Sequence, residues 1–310
     1  MGNQKITTLT INPSLDKSTH FSELIAEQKI RCEKPRYDAG GGGINVSKAI
    51  FKLGGNSTCV FTSGGSTGEM LEDLIAKEKL EGVAIKTKNW TRENFIAFEN
   101  KTKSQFRFGF PGNELFDDEK EKIIKIIKEL KSEYLVLSGS LNEGLPTNFY
   151  SKIAEIAKQK GIKVIVDASG EALQKVIETG VYLIKPNVGE LAKILGVERL
   201  ELPEVEKAAK KLIENKSATI VVVSLGAEGA ILVTKDETHF VNAPKVERKS
   251  TVGAGDSMVG GMVWALSQNK SLKEVIQWGV ACGSATTMNE GTQLFKLEDV
   301  ERLFEQMQKK

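Results

Sequence analysis

Short β-branched runs alternate along this chain with amphipathic stretches of helical length, and this alternation constrains the fold more than any other feature. Strand-like runs fall at residues 5–11, 58–62, 134–137, 164–166, 182–184, 219–224 and 230–234. Helical patterns fall at residues 44–53, 70–80, 122–130, 148–160, 172–178, 205–215 and 258–266. Strands that recur with helices of about 10–15 residues between them are typical of βαβ units. The sequence therefore predicts an α/β fold with a mostly parallel sheet covered on both faces.

Two segments, about 17–38 and 90–111, break this rhythm because they are polar and irregular. Each contains short alternating pieces, such as residues 94–99 and 105–108, which suggest small antiparallel strands standing off the main sheet. Loops longer than about 15 residues are uncommon in compact domains unless they are functional. We therefore expect one domain over residues 1–310 with a discontinuous β lid, the alternative being two ordinary long loops.

Composition excludes several classes of protein. A net charge of +2 over 310 residues gives no electrostatic case for binding nucleic acid or a membrane surface. Cys32, Cys59 and Cys282 are isolated and form no CxxC pair, which argues against structural zinc and favours a reducing compartment. His20 and His239 are too few for a histidine-rich metal site. The start MGNQKI lacks the apolar core of a signal peptide, and no apolar run approaches membrane-spanning length, so we expect a cytoplasmic protein.

Residues 249–257, KSTVGAGDS, contain a glycine-rich turn that leads into an apolar helical run. Gly253 and Gly255 allow backbone N–H groups to converge, and Asp256 then falls at a helix N-terminus, where negative charge is favoured. A carboxylate there can accept a proton from an alcohol while the turn stabilises a transferred phosphoryl group. The same residues would also suit a simple turn with Asp256 as N-cap.

Asp16 in INPSLD falls just past the first predicted strand, at the edge where open α/β sheets bind ligands. It could bind substrate hydroxyls or simply form a turn. Four glycines at 40–43 precede Asn45, and they suggest close approach of backbone to a ligand, or else a hinge. The Asn45 amide could then contact a sugar hydroxyl or a phosphate.

Arg92 in NWTREN and Arg107 in QFRFGFPG lie in the expected lid, where arginine suits bidentate phosphate binding. A single surface arginine is usually only solvated, so this interpretation depends on the lid covering the site. Ser140 ends the SGS tripeptide after a strand, and it can donate a hydrogen bond or simply end the strand.

Asn187 and Glu190 in KPNVGE are three residues apart, so a helical turn would place them on one face. They could hold Mg²⁺ through water beside nucleotide phosphates, or they could be an ordinary helix start. Residues 224–229, SLGAEG, form a glycine-rich turn after the strongest strand pattern. That turn could approach a nucleotide, or it could be a hairpin.

Other enzyme classes fit less well. No GxxxxGK[ST] occurs, and GAGDSM lacks the third glycine of GxGxxG, so the P-loop and Rossmann signatures are absent. Residues 64–68, GGSTG, do match the GxSxG of serine hydrolases, with Ser66 as nucleophile. The base would then be His239, which lies in a strand-like run, or His20, which precedes the serine against the usual order. A non-catalytic sugar-phosphate or nucleotide binding module is the other alternative.

Together these motifs resemble those of the ribokinase-like PfkB carbohydrate kinases over nearly the whole chain. The resemblance rests on INPSLD, DAGGGGIN, GGSTGE, WTREN, SGSL, VDASGEAL, KPNVGE, VVVSLGAEGA, STVGAGDSMVG and GVACGSATTMNEGT, in this order. The residues within these motifs are most similar to those of bacterial type 2 6-phosphofructokinases. The resemblance implies a three-layer α/β/α sandwich with a small β-sheet lid, and ATP-dependent phosphorylation of fructose 6-phosphate. Tagatose 6-phosphate and fructose 1-phosphate are the alternative substrates.

The resemblance also implies residue roles. Asp256 matches the general base, with Gly253, Ala254 and Gly255 as its anion hole. Positions matched to the sugar are Asp16, Gly41, Asn45 and Ser140, with Arg92 and Arg107 near its phosphate. Positions matched to the nucleotide are Lys185, Asn187, Ser224, Gly226, Gly229, Val280 and Ser284. The magnesium-associated pair is Asn187 and Glu190.

Further implications of the resemblance are a monovalent-cation loop beside the active site and a homodimer formed through the lid. The cation loop, which would bind K⁺, corresponds to Ser250, Val252, Thr286, Asn289 and Gly291. Lys29 matches a position where one subunit reaches a second, inhibitory nucleotide.

Overall fold

The computed structural model describes residues 5–309, and its strands and helices alternate as the sequence predicts. The strands are β1 (Ile6–Thr10), β2 (Ser14–Phe21), β3 (Arg36–Gly40), β4 (Thr58–Ser63), β5 (Glu81–Lys86), β6 (Arg92–Glu99), β7 (Gln105–Gly109), β8 (Tyr134–Ser138), β9 (Lys163–Asp167), β10 (Val181–Ile184), β11 (Ala218–Ser224), β12 (Ala230–Val233) and β13 (Thr238–Val241).

The helices alternate with these strands and begin at the carboxyl edge of the main sheet wherever they follow one of its parallel strands. They are α1 (Gly42–Lys52), α2 (Gly65–Lys77), α3 (Asp117–Glu129), α4 (Phe149–Gln159), α5 (Gly170–Ile177), α6 (Val188–Ile194), α7 (Leu202–Glu214), α8 (Ala254–Ser267), α9 (Leu272–Thr287) and α10 (Leu297–Gln308). Within residues 5–309, none of them is both long and apolar enough to cross a membrane.

The main sheet has the strand order β13-β12-β11-β10-β9-β8-β1-β4-β5. From β11 to β5 every neighbouring pair is parallel, and β12 and β13 add an antiparallel edge. Parallel strands need crossover connections, which the helices supply. The carboxyl ends of the parallel strands therefore meet along one edge, where open α/β sheets bind their ligands.

Alternate residues of each strand point to opposite faces, so both faces of the main sheet carry apolar side chains. On one face, Val46 of α1, Met262 of α8 and Ile276 of α9 join a buried cluster. On the other face, helices α3 to α7 contribute to a second cluster that includes Ile127 and Leu212. This arrangement confirms the predicted three-layer α/β/α sandwich.

A smaller sheet, in the order β3-β2-β6-β7, stands apart from the main one and corresponds to the expected lid strands. The expectation of purely antiparallel pairing is wrong for its centre, because β2 and β6 are parallel. Both strands leave the main sheet at its carboxyl edge, β2 directly after β1 and β6 after β5, so they run outward in the same direction. The flanking pairs, β2–β3 and β6–β7, are antiparallel as expected.

Helices α1 and α8 pack side by side in parallel, and their backbones lie in close contact at Gly260. A Cβ built on Gly260 of α8 would lie 2.5 Å from the Ala49 Cβ and 3.1 Å from the Val46 carbonyl oxygen of α1. One turn nearer the N-terminus of each helix, Asn45 meets Asp256. The missing side chain at Gly260 thus lets both helix N-termini reach the same point of the sheet edge.

We expect Gly260→Ala to destabilise the protein, although alanine is the better helix former by about 0.8–1 kcal/mol. The added methyl group has to displace the backbone of α1, and such overpacking typically costs about 1–3 kcal/mol. Urea unfolding would measure the change in the free energy of unfolding.

Gly189→Ala in α6 is the matched control, because a Cβ there meets its nearest atom, the Asn187 Oδ1, at 3.4 Å. It should leave stability unchanged or slightly improved. If both variants unfold at the same denaturant concentration, close packing at Gly260 does not limit the approach of α1 and α8.

Candidate active site

Asp256 lies in the first turn of α8, at the carboxyl edge of the main sheet. Gly253 caps this helix in a left-handed conformation, with φ of 72°, that residues with a side chain rarely adopt. Ala254, Gly255 and Asp256 are the first helical residues, whose N–H groups have no partner within the helix. The turn therefore presents N–H groups and the positive end of the helix dipole beside the Asp256 carboxylate.

The Asp256 carboxylate is held by α1, since the Asn45 Nδ2 donates to its Oδ2 over 2.8 Å. Burial raises the pKa of Asp256 to about 6, and the negative charge of Asp167 contributes to the rise. The Asn45 hydrogen bond and the Lys185 charge act in the opposite direction. A carboxylate with this pKa is ionised at neutral pH and still basic enough to accept a proton from a bound hydroxyl.

Asp167 and Lys185 form a buried ion pair beside this turn. Asp167 ends β9, Lys185 directly follows the neighbouring strand β10, and the Lys185 Nζ lies 3.1 Å from the Asp167 Oδ1. Burial alone would lower the pKa of Lys185, but Asp167 outweighs it and the pKa is raised. A Cβ on Gly255 would lie 3.6 Å from the Lys185 Nζ, so this ammonium group borders the α8 turn.

A cleft of about 680 Å³ opens beside the turn. Apart from Lys185, every residue predicted for the nucleotide lines it, namely Asn187, Ser224, Gly226, Gly229, Val280 and Ser284. Ala254 and Gly255 of the turn also line it. Val280 and Ser284 are four residues apart on α9, which places them on one helix face. The structure thus brings these residues together around one cavity.

Asn187 and Glu190 are joined in a capping box at the start of α6. The Glu190 N–H donates to the Asn187 Oδ1 over 2.8 Å, and the Asn187 N–H donates to the Glu190 Oε2 over 2.9 Å. Within residues 5–309 no group of three histidine, cysteine or acidic residues could hold a metal ion by itself. The remaining lone pairs of these oxygens suit Mg²⁺, which usually keeps several waters and is shared with substrate phosphates.

Asp16 follows β1 closely, as predicted, and it lies within β2 of the small sheet, so the alternative of a simple turn residue does not hold. Its Oδ1 accepts hydrogen bonds from the Ser14 Oγ at 2.7 Å and the Asn94 Nδ2 at 2.8 Å. Burial raises the pKa of Asp16, although both hydrogen bonds oppose the rise. Asp16 is also among the charges that raise the pKa of Asp256, so the two carboxylates share one electrostatic environment.

Arg92 at the start of β6 faces inward beside Asp16. Its Nη1 donates to the Asn94 Oδ1 at 3.0 Å and the Phe110 carbonyl at 3.1 Å. Its Nε is buried with no hydrogen-bond partner among the described residues, so one donor of the guanidinium remains available. Burial lowers the pKa of Arg92, and the Asp16 charge opposes this.

Arg107 does not lie beside Arg92 in the structure. It is exposed on β7, where its Nε and Nη2 both donate to the Gln105 Oε1, at 3.0 and 2.8 Å. Arg107 pairs with Ile96, four positions along β6 from Arg92, which corresponds to a separation of about 13 Å along the strand.

The glycine run at 40–43 packs against protein in this structure. A Cβ on Gly42 would lie 2.3 Å from the Ser138 Oγ, and one on Gly41 would lie 2.6 Å from the Thr10 Cγ2. The glycines therefore let the start of α1 touch the ends of β1 and β8. Ser140 follows β8, and its Oγ accepts a hydrogen bond from the Asn12 Nδ2 over 3.0 Å.

The residues predicted for a monovalent cation come together beside the α8 turn. The Ser250 Oγ donates to the Gly291 carbonyl at 2.9 Å and accepts from the Val252 N–H at 3.2 Å. The Thr286 Oγ1 donates to Ser257 in the first turns of α8. The Asn289 Nδ2 donates to the carbonyl of Ala285 at 3.0 Å.

Lys29, predicted for a second nucleotide, lies exposed in the loop between β2 and β3 and does not line the cleft.

The serine-hydrolase alternative fails on distance. Ser66 is exposed in the first turn of α2, whereas His239 is on β13, which lies seven strands from β4 in the main sheet. Seven strand spacings correspond to about 33 Å. His20 pairs with Phe98 near the end of β6, whereas α2 begins beside the start of that strand, where Thr67 donates to the Thr91 carbonyl. Neither histidine can serve Ser66.

Sequence reasoning missed the structural partners that fix the named side chains. Asp167 holds Lys185, while Asn94 holds Asp16 and Arg92. The sequence carried a signal for Asp167, because it ends the apolar strand VIVD at the same sheet edge as the other polar residues. No local sequence motif identified Asn94 as a partner of Asp16, because this contact depends on the pairing of β2 with β6.

Residues 8–299 match the family model described as pfkB family carbohydrate kinase. The chain is 41% identical over 302 residues to ATP-dependent 6-phosphofructokinase isozyme 2 of Escherichia coli, covering 97% of this chain and 98% of that protein. It is 34% identical over 293 residues to the 1-phosphofructokinase of Bacillus subtilis, covering 94% of this chain and 95% of that protein.

The structure also resembles crystal structures of phosphofructokinase-2 from Escherichia coli. One, in complex with potassium, has a TM-score of 0.95 and 40% identity, and the match covers 98% of this chain and 99% of the other. Another, the tetrameric inhibited form, has a TM-score of 0.92 and 39% identity over the same shares of the two chains.

We expect Asp256→Asn to stabilise the folded protein at neutral pH. Burial raises the pKa of Asp256 from its usual 3.8 to about 6, so the folded state binds this proton more tightly than the unfolded state. The resulting stability is present below pH 3.8 and is lost as the pH rises through about 6. Neutral asparagine avoids this loss, so the variant should gain up to about 3 kcal/mol at pH 7.5 and about 1 kcal/mol at pH 4.5.

Urea unfolding of both proteins at several pH values between these limits would measure this difference. A gain that stays constant with pH would mean that the Asp256 carboxylate is not destabilised by its surroundings.

Proposed function

Because the chain belongs to the pfkB family of carbohydrate kinases, we propose that it transfers the γ-phosphoryl group of ATP to a hydroxyl of fructose 6-phosphate, giving fructose 1,6-bisphosphate and ADP. The observation that carries this proposal is the position of Asp256. It lies in the helix N-terminal turn whose Ala254 and Gly255 line the 680 Å³ cleft, and its carboxylate accepts a hydrogen bond from Asn45 of α1. A phosphoryl donor and an alcohol acceptor can therefore meet at one carboxylate.

In this mechanism Asp256 accepts the proton of the attacking hydroxyl. Its pKa of about 6 keeps it ionised at neutral pH and closer in basicity to a useful general base than an ordinary aspartate. The Asn45 hydrogen bond orients the carboxylate toward the acceptor. Positioning of this kind accounts for much of phosphoryl-transfer catalysis, since the protein has little covalent chemistry to perform.

The turn formed by Gly253, Ala254 and Gly255 stabilises the charge on the transferred group. Its N–H groups have no partner within the helix, and together with the helix dipole they favour an anion at this position. Lys185 adds a fixed positive charge beside the turn, and Asp167 holds its ammonium group in place. Donors that are already aimed at developing charge need no reorganisation during the reaction.

The cleft takes the nucleotide, with Asn187, Ser224, Gly226 and Gly229 near its phosphates and ribose and the α9 residues Val280 and Ser284 beside the base. We also propose that Mg²⁺ is held through water by Asn187 and Glu190. Mg²⁺ in that position would neutralise charge on the nucleotide phosphates.

The sugar phosphate lies on the small-sheet side of Asp256. Asp16 accepts hydrogen bonds from sugar hydroxyls, and its present partners Ser14 and Asn94 keep it oriented. The free Nε of Arg92 is a donor for the substrate phosphate. Contacts are also proposed for Gly41, Ser140 and Arg107, and Arg107 has to leave Gln105 to take part.

The small sheet is proposed as a lid that excludes water and as the contact of a homodimer. Phe108 is 48% exposed and stacks on Phe95 with ring centroids 5.9 Å apart, which leaves an apolar surface for a partner. Three further proposals come from the family pattern. They are K⁺ binding at the loop around Ser250 and Gly291, a second nucleotide near Lys29, and a cytoplasmic location, which the unpaired cysteines suit.

The substrate is tested by measuring ADP release from Mg²⁺ and ATP with fructose 6-phosphate, tagatose 6-phosphate, fructose 1-phosphate and fructose. We expect fructose 6-phosphate to give the highest kcat/KM, because the chain is more similar to a 6-phosphofructokinase than to a 1-phosphofructokinase. Preference for another sugar phosphate would contradict the proposed substrate and indicate a different kinase activity of the same family. Tight sugar-phosphate binding without ADP release would instead indicate a binding module.

Replacing the base tests the mechanism. We expect Asp256→Asn to lower kcat by about 10²–10⁴-fold, the usual contribution of general base catalysis, while the KM for the sugar changes little. Steady-state kinetics with saturating ATP would measure both.

Asp236→Asn is the matched control, because Asp236 is exposed in the turn between β12 and β13 and should leave kcat unchanged. An Asp256→Asn enzyme that retains kcat within tenfold of the parent would rule out Asp256 as the base.

A further inference from the structure

One hydrogen bond joins the strands of the small sheet to the C-terminal half of the described chain. The Thr292 Oγ1 donates to the Asp38 Oδ2 over 2.8 Å, although the two residues are 254 positions apart. Asp38 is only 8% exposed, and its other oxygen accepts from the Arg36 Nη2 at 2.6 Å and Nε at 3.0 Å. Both carboxylate oxygens are therefore committed, and the direction of the Thr292 contact is fixed.

On the small-sheet side, this contact reaches the acid proposed to bind the sugar. Asp38 on β3 is paired in register with Asp16 on β2, so their side chains lie on the same face as direct cross-strand neighbours. Two positions along β3, a Cβ on Gly40 would lie 2.4 Å from the Asp16 Oδ2. A shift of β3 therefore displaces the surroundings of Asp16.

On the other side, the contact reaches the turn at the start of α8. Gly291, next to Thr292, accepts a hydrogen bond from the Ser250 Oγ at 2.9 Å. The same hydroxyl accepts from the Val252 N–H at 3.2 Å, directly before Gly253. Leu294 of the same loop packs on the turn, since its Cδ2 would lie 2.8 Å from a Cβ on Gly253.

We propose that Asp38 and Thr292 are positioning residues that couple sugar binding at the small sheet to nucleotide binding at the α8 turn. The inference rests on the proposed function, because it assigns the two sides to the two substrates. A charged acceptor makes this a strong hydrogen bond, and it connects β3, beside Asp16, with the loop that packs on the α8 turn. A ligand that fixes the small sheet then also favours one position of the turn, and by linkage the nucleotide favours the same position of the small sheet.

The test measures the Kd of a non-hydrolysable ATP analogue with and without saturating fructose 6-phosphate, using the full chain. The ratio of the two values is the coupling factor. We expect a factor of at least about five for the native protein, the lower end of measured couplings. Thr292→Val keeps the side-chain shape but removes the donor, so its factor should fall to within twofold of one. Thr292→Ser keeps the hydroxyl and should restore the native factor.

Thr238→Val is the matched control, since it removes a hydroxyl contact to the Glu206 carboxylate away from the cleft lining. It should keep the native coupling factor. If Thr292→Val is too unstable to measure, Thr292→Ala removes the same donor without a branched side chain. Asp38→Asn combined with Thr292→Val should lose no more coupling than Thr292→Val alone.

The proposal is overturned if the variant without the Thr292 hydroxyl keeps the native coupling factor, or if the native factor is one. A structural role alone would lower the unfolding temperature and leave the ratio unchanged. Turnover of fructose 6-phosphate by the native protein is measured in the same preparation. Its absence would contradict the proposed function, whereas turnover with unchanged coupling in Thr292→Val would contradict only this inference.

Discussion

The site depends on how closely α1 and α8 approach each other. Gly260 faces Ala49 where the helices cross, and one turn earlier the same two helices bring Asn45 to the carboxylate of Asp256. The hydrogen bond is 2.8 Å long, so a displacement of either helix by one methyl radius would break it. The geometry at the sheet edge thus depends on helix packing one turn further along α1 and α8.

The charges around Asp256 then determine its pKa. Asp16, Asp167 and Asp256 are close enough to influence one another, and Lys185 is the cation that opposes them from within the buried pair. Burial and like charge raise the pKa of Asp256, so the folded chain holds this carboxylate ionised at a cost in stability. Sites that carry out proton transfer commonly show this conflict between function and stability.

The sequence predicted those parts of the fold that depend on local patterns. β8 was predicted over residues 134–137 and spans Tyr134–Ser138, because every residue of this central strand is buried and apolar residues dominate it. β5, Glu81–Lys86, was not predicted, since it is an edge strand with exposed charged ends and a glycine. The parallel pairing of β2 with β6 was also missed, because it joins segments far apart in the chain.

Candidate site residues were predicted better than their environments. Glycine-rich turns and polar residues after strands identified the α8 turn and part of the cleft lining, since such positions collect at one sheet edge. The sequence could not give the partners across elements, such as Asp167 for Lys185. The neighbours of the glycines at 40–43 could not be predicted either, because the atoms that lie against Gly41 and Gly42 belong to β1 and β8, which are distant in the sequence.

The small sheet takes its central strands from two separate stretches of the chain, β2 from residues before α1 and β6 from residues after β5. It therefore has no continuous coding segment of its own. A recombination event between related genes that joins one parent's β2 to another parent's β6 would mix the two halves of every paired position, from Ser14 with Arg92 to Phe21 with Glu99. Gene shuffling that preserves these cross-strand pairs consequently requires both stretches to be inherited from the same parent.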